Sequence, residues 1–333
     1  MRVASLMTTP AAPGRPATHQ PALAVFAALS SAWVFLLVVL GAFTTSIGAG
    51  MVFADWPLSN GSLNPRGWLT DLAMFAEHSH RLSAGVMGTL TLVLAGWIVR
   101  TEPRAWLRRL ALAAVGLVLL QALVGGLRVL LDHLQVPMVD TSVGRLFAML
   151  HAVLAQLFVC ALIAVATACS RSWIKGGATA VGPAVRRLGL GCCALLFLQL
   201  AIAAVMRHSF AGLAIPTFPA STFEGGLLPA VWNFRIGIHF AHRLMAVVLC
   251  GALPWFVFTL RGDRGATTAM RLGASGLLFL LAGQILLGAQ IIWTYRAAYA
   301  TTSHVLVGAL TLATTFWLTW QSHRDGLETP PAA

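Results

Sequence analysis

Two short stretches hold most of the chemically able side chains in otherwise apolar surroundings: residues 77–81 read EHSHR and residues 239–243 read HFAHR. Two more histidines, His151 and His304, stand alone in apolar runs farther along. Neutral imidazole is the commonest metal ligand in proteins, so four such residues raise the question of a metal. Glu77 and His80 have E-x-x-H spacing, which puts both on one helical face and forms a ligand pair in di-iron bundles. A di-iron site needs more carboxylates than Glu77 alone. Structural zinc needs four closed ligands, and few cysteines or carboxylates accompany these histidines at metal spacing. Two facing imidazoles in an apolar four-helix bundle suit haem iron, with His80 and His151 as one candidate pair and His242 and His304 as the other.

Positioning such pairs falls to membrane helices. The 333 residues are 58% hydrophobic and 10% charged, with a mean hydropathy of +0.81, outside the range of soluble domains. Continuous Leu/Ala/Val-rich runs near 23–48, 72–99, 108–130, 144–169, 188–208, 234–260, 272–293 and 301–321 are each long enough to cross a bilayer as a helix. They lack the ten-residue alternation of a membrane β-barrel. The expected fold is therefore an all-α integral membrane protein of eight transmembrane helices.

The net charge of +12 is not a nucleic-acid signature, because the basic residues concentrate in alternate loops. Arg100, Arg104, Arg108 and Arg109 follow the second run, Arg171, Lys175, Arg186 and Arg187 the fourth, and Arg261, Arg264 and Arg271 the sixth. The positive-inside rule makes these loops cytoplasmic, with both termini, and turns 49–71, 131–143, 209–233 and 294–300 outward. The first run follows a twenty-residue polar tail and is too long for a secretory signal, so it reads as retained. Cys160, Cys169, Cys192, Cys193 and Cys250 all fall within or at the ends of runs and imply no disulfide framework.

The chain repeats itself. An offset of 162 residues carries EHSHRL at 77–82 onto HFAHRL at 239–244, Ala49-Gly50 onto Ala211-Gly212, and Trp56-Pro57 onto Phe218-Pro219; one residue of slippage then aligns QALVG at 121–125 with QILLG at 284–288. Each half holds an even number of runs, so the halves are expected to be two pseudo-symmetric four-helix bundles related by an axis along the membrane normal. The expected divisions are a cytoplasmic tail at 1–22, bundles at 23–170 and 188–322, a cytoplasmic linker at 171–187 and a C-terminal tail at 323–333. His80 and His151 lie seven or eight residues from the outer ends of their runs, roughly 10–12 Å deep at about 1.5 Å per residue.

Where the repeat breaks is informative. Glu77 answers to His239, so only one half has a carboxylate beside its histidine pair, and an ionisable group within a span is a functional hypothesis by default. An ion pair with Arg81 is the structural alternative. Arg81 and Arg243, directly after the candidate ligands, either snorkel outward or meet haem propionates. Arg128, Arg145, Arg207 and Arg235 crowd the outer ends of runs, where arginine should be scarce, and anionic groups near that surface would explain the excess.

The outer segment TTSIGAGMVFADWPLSNGSLNP, with EHSHR, LHAVLAQ, HFAHR and TTSHVLVG, resembles the heme A synthase family over nearly the whole chain. The resemblance implies oxidation of a methyl group of heme O to the formyl group of heme A through a hydroxymethyl intermediate, in the cell inner (plasma) membrane, with the haem sites toward the outer side. It assigns the substrate haem to His80 and His151, a permanent heme b to His242 and His304, and an acid or base role to Glu77. Implied partners are heme O synthase and cytochrome oxidase assembly proteins, with a homo-oligomer as a further expectation. Some members carry a cysteine pair in the first outer loop; 49–71 has none, so Asp55, Trp56, Pro57 and Pro65 must shape it by packing and turn geometry. The competing function is a non-catalytic bis-histidine cytochrome b exchanging electrons with a quinone. A transporter is a second rival, but the polar groups sit toward the outer side, not at the midplane.

Overall fold

The computed structural model describes residues 18–176 and 181–328. Residues 1–17 of the expected first tail, 177–180 of the expected linker and 329–333 at the end lie outside the described residues. Among the described residues the fold is all-helical, with only isolated bridges at Ser59–Ser62 and Gln135–Ser142 and no strand. The helices are α1 (Pro21–Ser46), α2 (Leu72–Thr101), α3 (Ala105–Leu130), α4 (Val143–Cys169), the short α5 (Arg171–Lys175), α6 (Pro183–His208), α7 (Phe234–Gly262), α8 (Thr268–Trp293), α9 (Ala298–Ser322) and the short α10 (Arg324–Glu328).

Local chemistry sets these boundaries. Pro21 and Pro183 start α1 and α6, where a missing N–H costs nothing. Asp71, Ser142, Asn233 and Thr267 cap α2, α4, α7 and α8, each accepting from the backbone N–H three residues on. Asp71 and Asn233 are related by the same 162-residue offset as the histidine motifs, so the repeat extends to how its helices begin.

Seven helices, α1–α4 and α6–α8, are long and apolar enough to cross a membrane. The eighth expected span, 301–321, falls on α9, which is long enough but outside that set. Its composition explains the difference. Thr311, Thr315, Thr319 and Ser322 are buried, and each hydroxyl donates to the carbonyl four residues earlier, so the helix carries polar atoms that are satisfied internally.

Helix α1 packs on α2 and α4, and α3 packs on α2 and α4; α6 packs on α7 and α9, and α8 packs on α7 and α9. Contacts of α1 with α9 and of α4 with α6 and α9 join the two sets. Two hydrophobic clusters fill them, one around Met87, Ile98, Leu107, Leu162 and Trp173, the other around Leu253, Phe256, Leu260, Met270 and Leu318. Both lie at the helix ends remote from the histidine motifs, leaving the opposite ends to smaller and more polar side chains.

Candidate functional site

Three of the four histidines, His80, His151 and His304, sit against a neighbouring helix at a glycine. A Cβ added to Gly41 of α1 would stand 2.8 Å from Cε1 of His80 on α2, and one on Gly125 of α3 would stand 2.9 Å from Cε1 of His151 on α4. Gly288 of α8 faces His304 of α9 in the same way, at 3.3 Å. Only glycine lets a ring lie this close to a helix backbone. Glutamines one turn earlier complete the frame. The Gln121 amide donates to the His151 carbonyl at 2.9 Å, and that of Gln284 lies 3.2 Å from Nε2 of His304. Gln199 of α6 reaches the His242 carbonyl at 3.1 Å and its Nε2 at 3.4 Å. The amides of Gln199 and Gln284 thus hold the rings of His242 and His304 in place at Nε2.

The His242 and His304 rings face each other with centroids 6.4 Å apart and planes tilted by 59°. Two metal–imidazole bonds of about 2 Å each, plus the ring half-widths, require a separation of about 6 Å, so an iron fits between them. His80 and His151 also lie within electrostatic range of each other. The rings of His80, His151 and His304 lie within reach of the backbone of Leu37, Gln121 and Gln284, each one turn before the slot glycine, while Nδ1 of His242 is buried without a partner. Among the described residues, no three His, Cys, Asp or Glu side chains converge on a metal position. What the fold offers is two-imidazole pairs, suited to a metal whose remaining ligands come from a macrocycle.

Outside each pair a long loop is fastened by the residues flanking the histidine. In the first half, Glu77 Oε2 accepts from the Val52 and Phe53 N–H groups at 2.7 and 3.2 Å, and Oε1 pairs with Arg81 at 2.6 Å. Arg81 in turn donates to the carbonyls of Phe53, Asp55 and Leu58. In the second half, His239 Nδ1 accepts from the Ile215 N–H at 3.2 Å, and Arg243 donates to the carbonyls of Ile215, Thr217 and Ala220. Every one of these acceptors is 162 residues from its counterpart. Each arginine also lies over an aromatic ring of its loop, Phe53 at 5.3 Å and Phe218 at 5.8 Å. The ion pair between Glu77 and Arg81 is thus present, and both candidate propionate contacts, Arg81 and Arg243, are engaged with loop carbonyls.

His78 holds the first loop at another point, with Nδ1 3.0 Å from Ser59 Oγ and the Trp68 ring packed edge-on at 4.8 Å. Trp56 covers Gly126, where a Cβ would meet its ring at 2.6 Å, one residue from the slot that receives His151. Asp55 closes a turn by accepting from the Asn60 and Gly61 N–H groups at 2.8 and 2.7 Å. Its slight burial acts in the opposite direction, but those donors and the Arg81 charge hold the carboxyl below the usual carboxylate range.

The match to known proteins covers this whole frame. The family model described as cytochrome oxidase assembly protein fits residues 24–316. A heme A synthase of Symbiobacterium thermophilum is 37% identical over 270 residues, covering 78% of this chain and 83% of the relative. The chain belongs to the heme A synthase family. The heme A synthase of Alkalihalophilus pseudofirmus is 24% identical over 311 residues, covering 89% of this chain and 96% of its own. That of Shouchella clausii is 26% identical over 274 residues, covering 81% and 86%.

Sequence reasoning had the histidines, Glu77 and the arginines of this family member, and the structure brings each set together in its own half. It missed the slot glycines and the loop fastening. The QALVG and QILLG repeat was a signal for the first, since its Gly125 and Gly288 are the residues that admit His151 and His304.

Proposed function

We propose that this chain oxidises the methyl substituent of heme O to the formyl group of heme A through a hydroxymethyl intermediate. Relatives named heme A synthase support a role in heme A biosynthesis. In this reading His80 and His151 hold the substrate iron, while His242 and His304 hold a resident heme b. The observation that carries it is the break at 77 and 239. The arginine fastening of the loop repeats at every carbonyl, yet one half alone places a carboxylate beside its histidine pair.

A resident haem, when bound, supplies one-electron transfer. Each of the two oxidations consumes one water and releases two electrons and two protons, one proton from the substrate carbon and one from the water, with the electrons passing to an acceptor outside the chain; the resulting geminal diol then loses water. His80 and His151 would hold the iron between two imidazoles, and the chemistry such a group would supply is electron removal, not oxygen activation. Glu77 is the candidate proton acceptor. Val52 and Phe53 donate to Oε2 and Arg81 to Oε1, which leaves Oε1 a lone pair for a proton. Arg81, Val52 and Phe53 orient the carboxylate, and Trp56 over Gly126 helps exclude water from the His151 side.

We further infer eight crossings, with α9 as the last, arranged as two four-helix bundles with both termini cytoplasmic in the plasma membrane and the histidine pairs toward the outer side. The decisive experiment extracts the haems from wild type and Glu77→Ala produced in cells that make heme O. Heme B with heme A or its hydroxymethyl precursor in wild type, and heme O in the variant, supports the proposal. Heme B alone in both proteins overturns it in favour of an electron-carrying cytochrome b.

A further inference from the structure

The seam between the halves carries more positive charge than its carboxylates balance. Arg128 stands in the last turn of α3, and its guanidinium lies against Gly50. Among the described residues it donates no hydrogen bond and has no ion-pair partner. The nearest carboxylates are committed, Glu77 to Arg81 and Asp132 to the Ser142 hydroxyl at 2.6 Å. Arg207, from α6 of the other half, reaches across to the Ala42 carbonyl at 2.9 Å and Ser46 Oγ at 3.1 Å. His208 lies within electrostatic range of both arginines. The C-terminal dipoles of α3 and α6 contribute only about half a negative charge each. Guanidinium groups at membrane depth need partners, so an anion is missing from this account.

Its place is specific. Arg128 is one turn beyond Gly125, the slot for His151, and Arg207 bonds to the residue next to Gly41, the slot for His80. Both cations are absent from the repeat: with the offset that aligns Gln121 with Gln284, Arg128 becomes Ile291, and Arg207 answers to Thr45. Arg128 lies within electrostatic range of His80 and His151, and Arg207, next to it, also lies within range of His304, so the surplus stands on the seam beside the first pair.

We propose that Arg128 and Arg207 bind the two propionate carboxylates of the haem held between His80 and His151. This rests on the reading of that pair as a haem site. It gives that haem a carboxylate partner from each half and leaves Arg81 to the loop. Arginine suits the task because its fork of donors matches a carboxylate.

The test titrates purified wild type, Arg128→Gln and Arg207→Gln with heme B and with heme B dimethyl ester, following the low-spin Soret band. The phase lost in His80→Ala identifies the first site. Wild type should favour the free acid at least about tenfold, and each variant should lose about tenfold in affinity for the acid with none for the ester, the effect of one charged hydrogen bond. Arg128→Lys should fall between them, and unchanged spectra from the second site show that the variants are folded. Equal weakening toward both probes, or no preference in wild type, overturns the proposal. So does an anionic phospholipid that copurifies with wild type and is lost from the variants while both probes bind as before. If His80→Ala removes no phase, the haem reading of this pair fails first, and that outcome is distinct from a haem that binds without regard to the arginines.

Discussion

At the residue scale, the contact that most needs separating is the double engagement of Glu77. Glu77→Gln keeps a carbonyl oxygen for the Val52 and Phe53 N–H groups while removing the base. Heme O should then accumulate while hydrogen exchange at those two amides rises less than about tenfold, since most of the donor–acceptor pairing survives. Full heme A production by this variant would reduce Glu77 to a fastening for the loop. The slots give a graded prediction. Gly41→Val and Gly125→Val should empty the first histidine pair, whereas Gly288→Ala, with 3.3 Å available, should lower occupancy of the second only in part, as read from haem stoichiometry. Asp55 supplies a pH test. Its carboxyl lies below its ordinary value in the folded loop, so its contribution is fully present above about pH 4 and is lost as pH falls through the lowered value. Amide exchange at Asn60 and Gly61 should accelerate in that acid range, and Asp55→Asn should abolish the dependence. The histidines were legible because type and repeat position suffice to find them. The true partners of Arg81 were not, because its acceptors are loop carbonyls 23 to 28 residues away, which no side-chain pattern marks.

At the element scale, the apolar runs located the long helices to within a few residues, and most of the discrepancy lies at N-termini. The run expected at 188–208 begins at Pro183, and that expected at 272–293 begins at Thr268, because caps and first-turn prolines extend helices beyond the hydrophobic stretch. The repeated caps are worth similar amounts. Asp71→Ala and Asn233→Ala should each destabilise by about 1 kcal/mol in denaturant titrations, and nearly additively because they serve different helices. The helix ends remote from the histidines are filled by large apolar and aromatic side chains, including Trp106, Trp173 and Trp320 in mutual ring contact. In lipid such packing, not exclusion of water, holds helices together, so this end is the rigid base from which the histidine ends are positioned.

At the scale of the whole molecule, the number of crossings decides the topology. Reporter fusions at the two termini should both register the cytoplasmic side if α9 spans the membrane, and opposite sides if only the seven most apolar helices do. The halves meet through α1, α4, α6 and α9, with Thr302 Oγ1 of α9 reaching Ser46 Oγ of α1 at 3.3 Å. On the side of the histidine motifs the Arg235–Asp140 pair is mostly exposed and is worth at most about 1 kcal/mol, so the seam depends on its helices. The symmetry between halves was readable as a sequence offset; the crossing of Arg207 from one half to the other was not, since it links residues that the repeat does not relate. The fastening of the two outer loops has a wider consequence. Arg81 and Arg243 grip main-chain oxygens, which every amino acid provides. Either loop can therefore exchange nearly all its side chains without losing its anchorage, so the two loops can differ in role above a repeated scaffold.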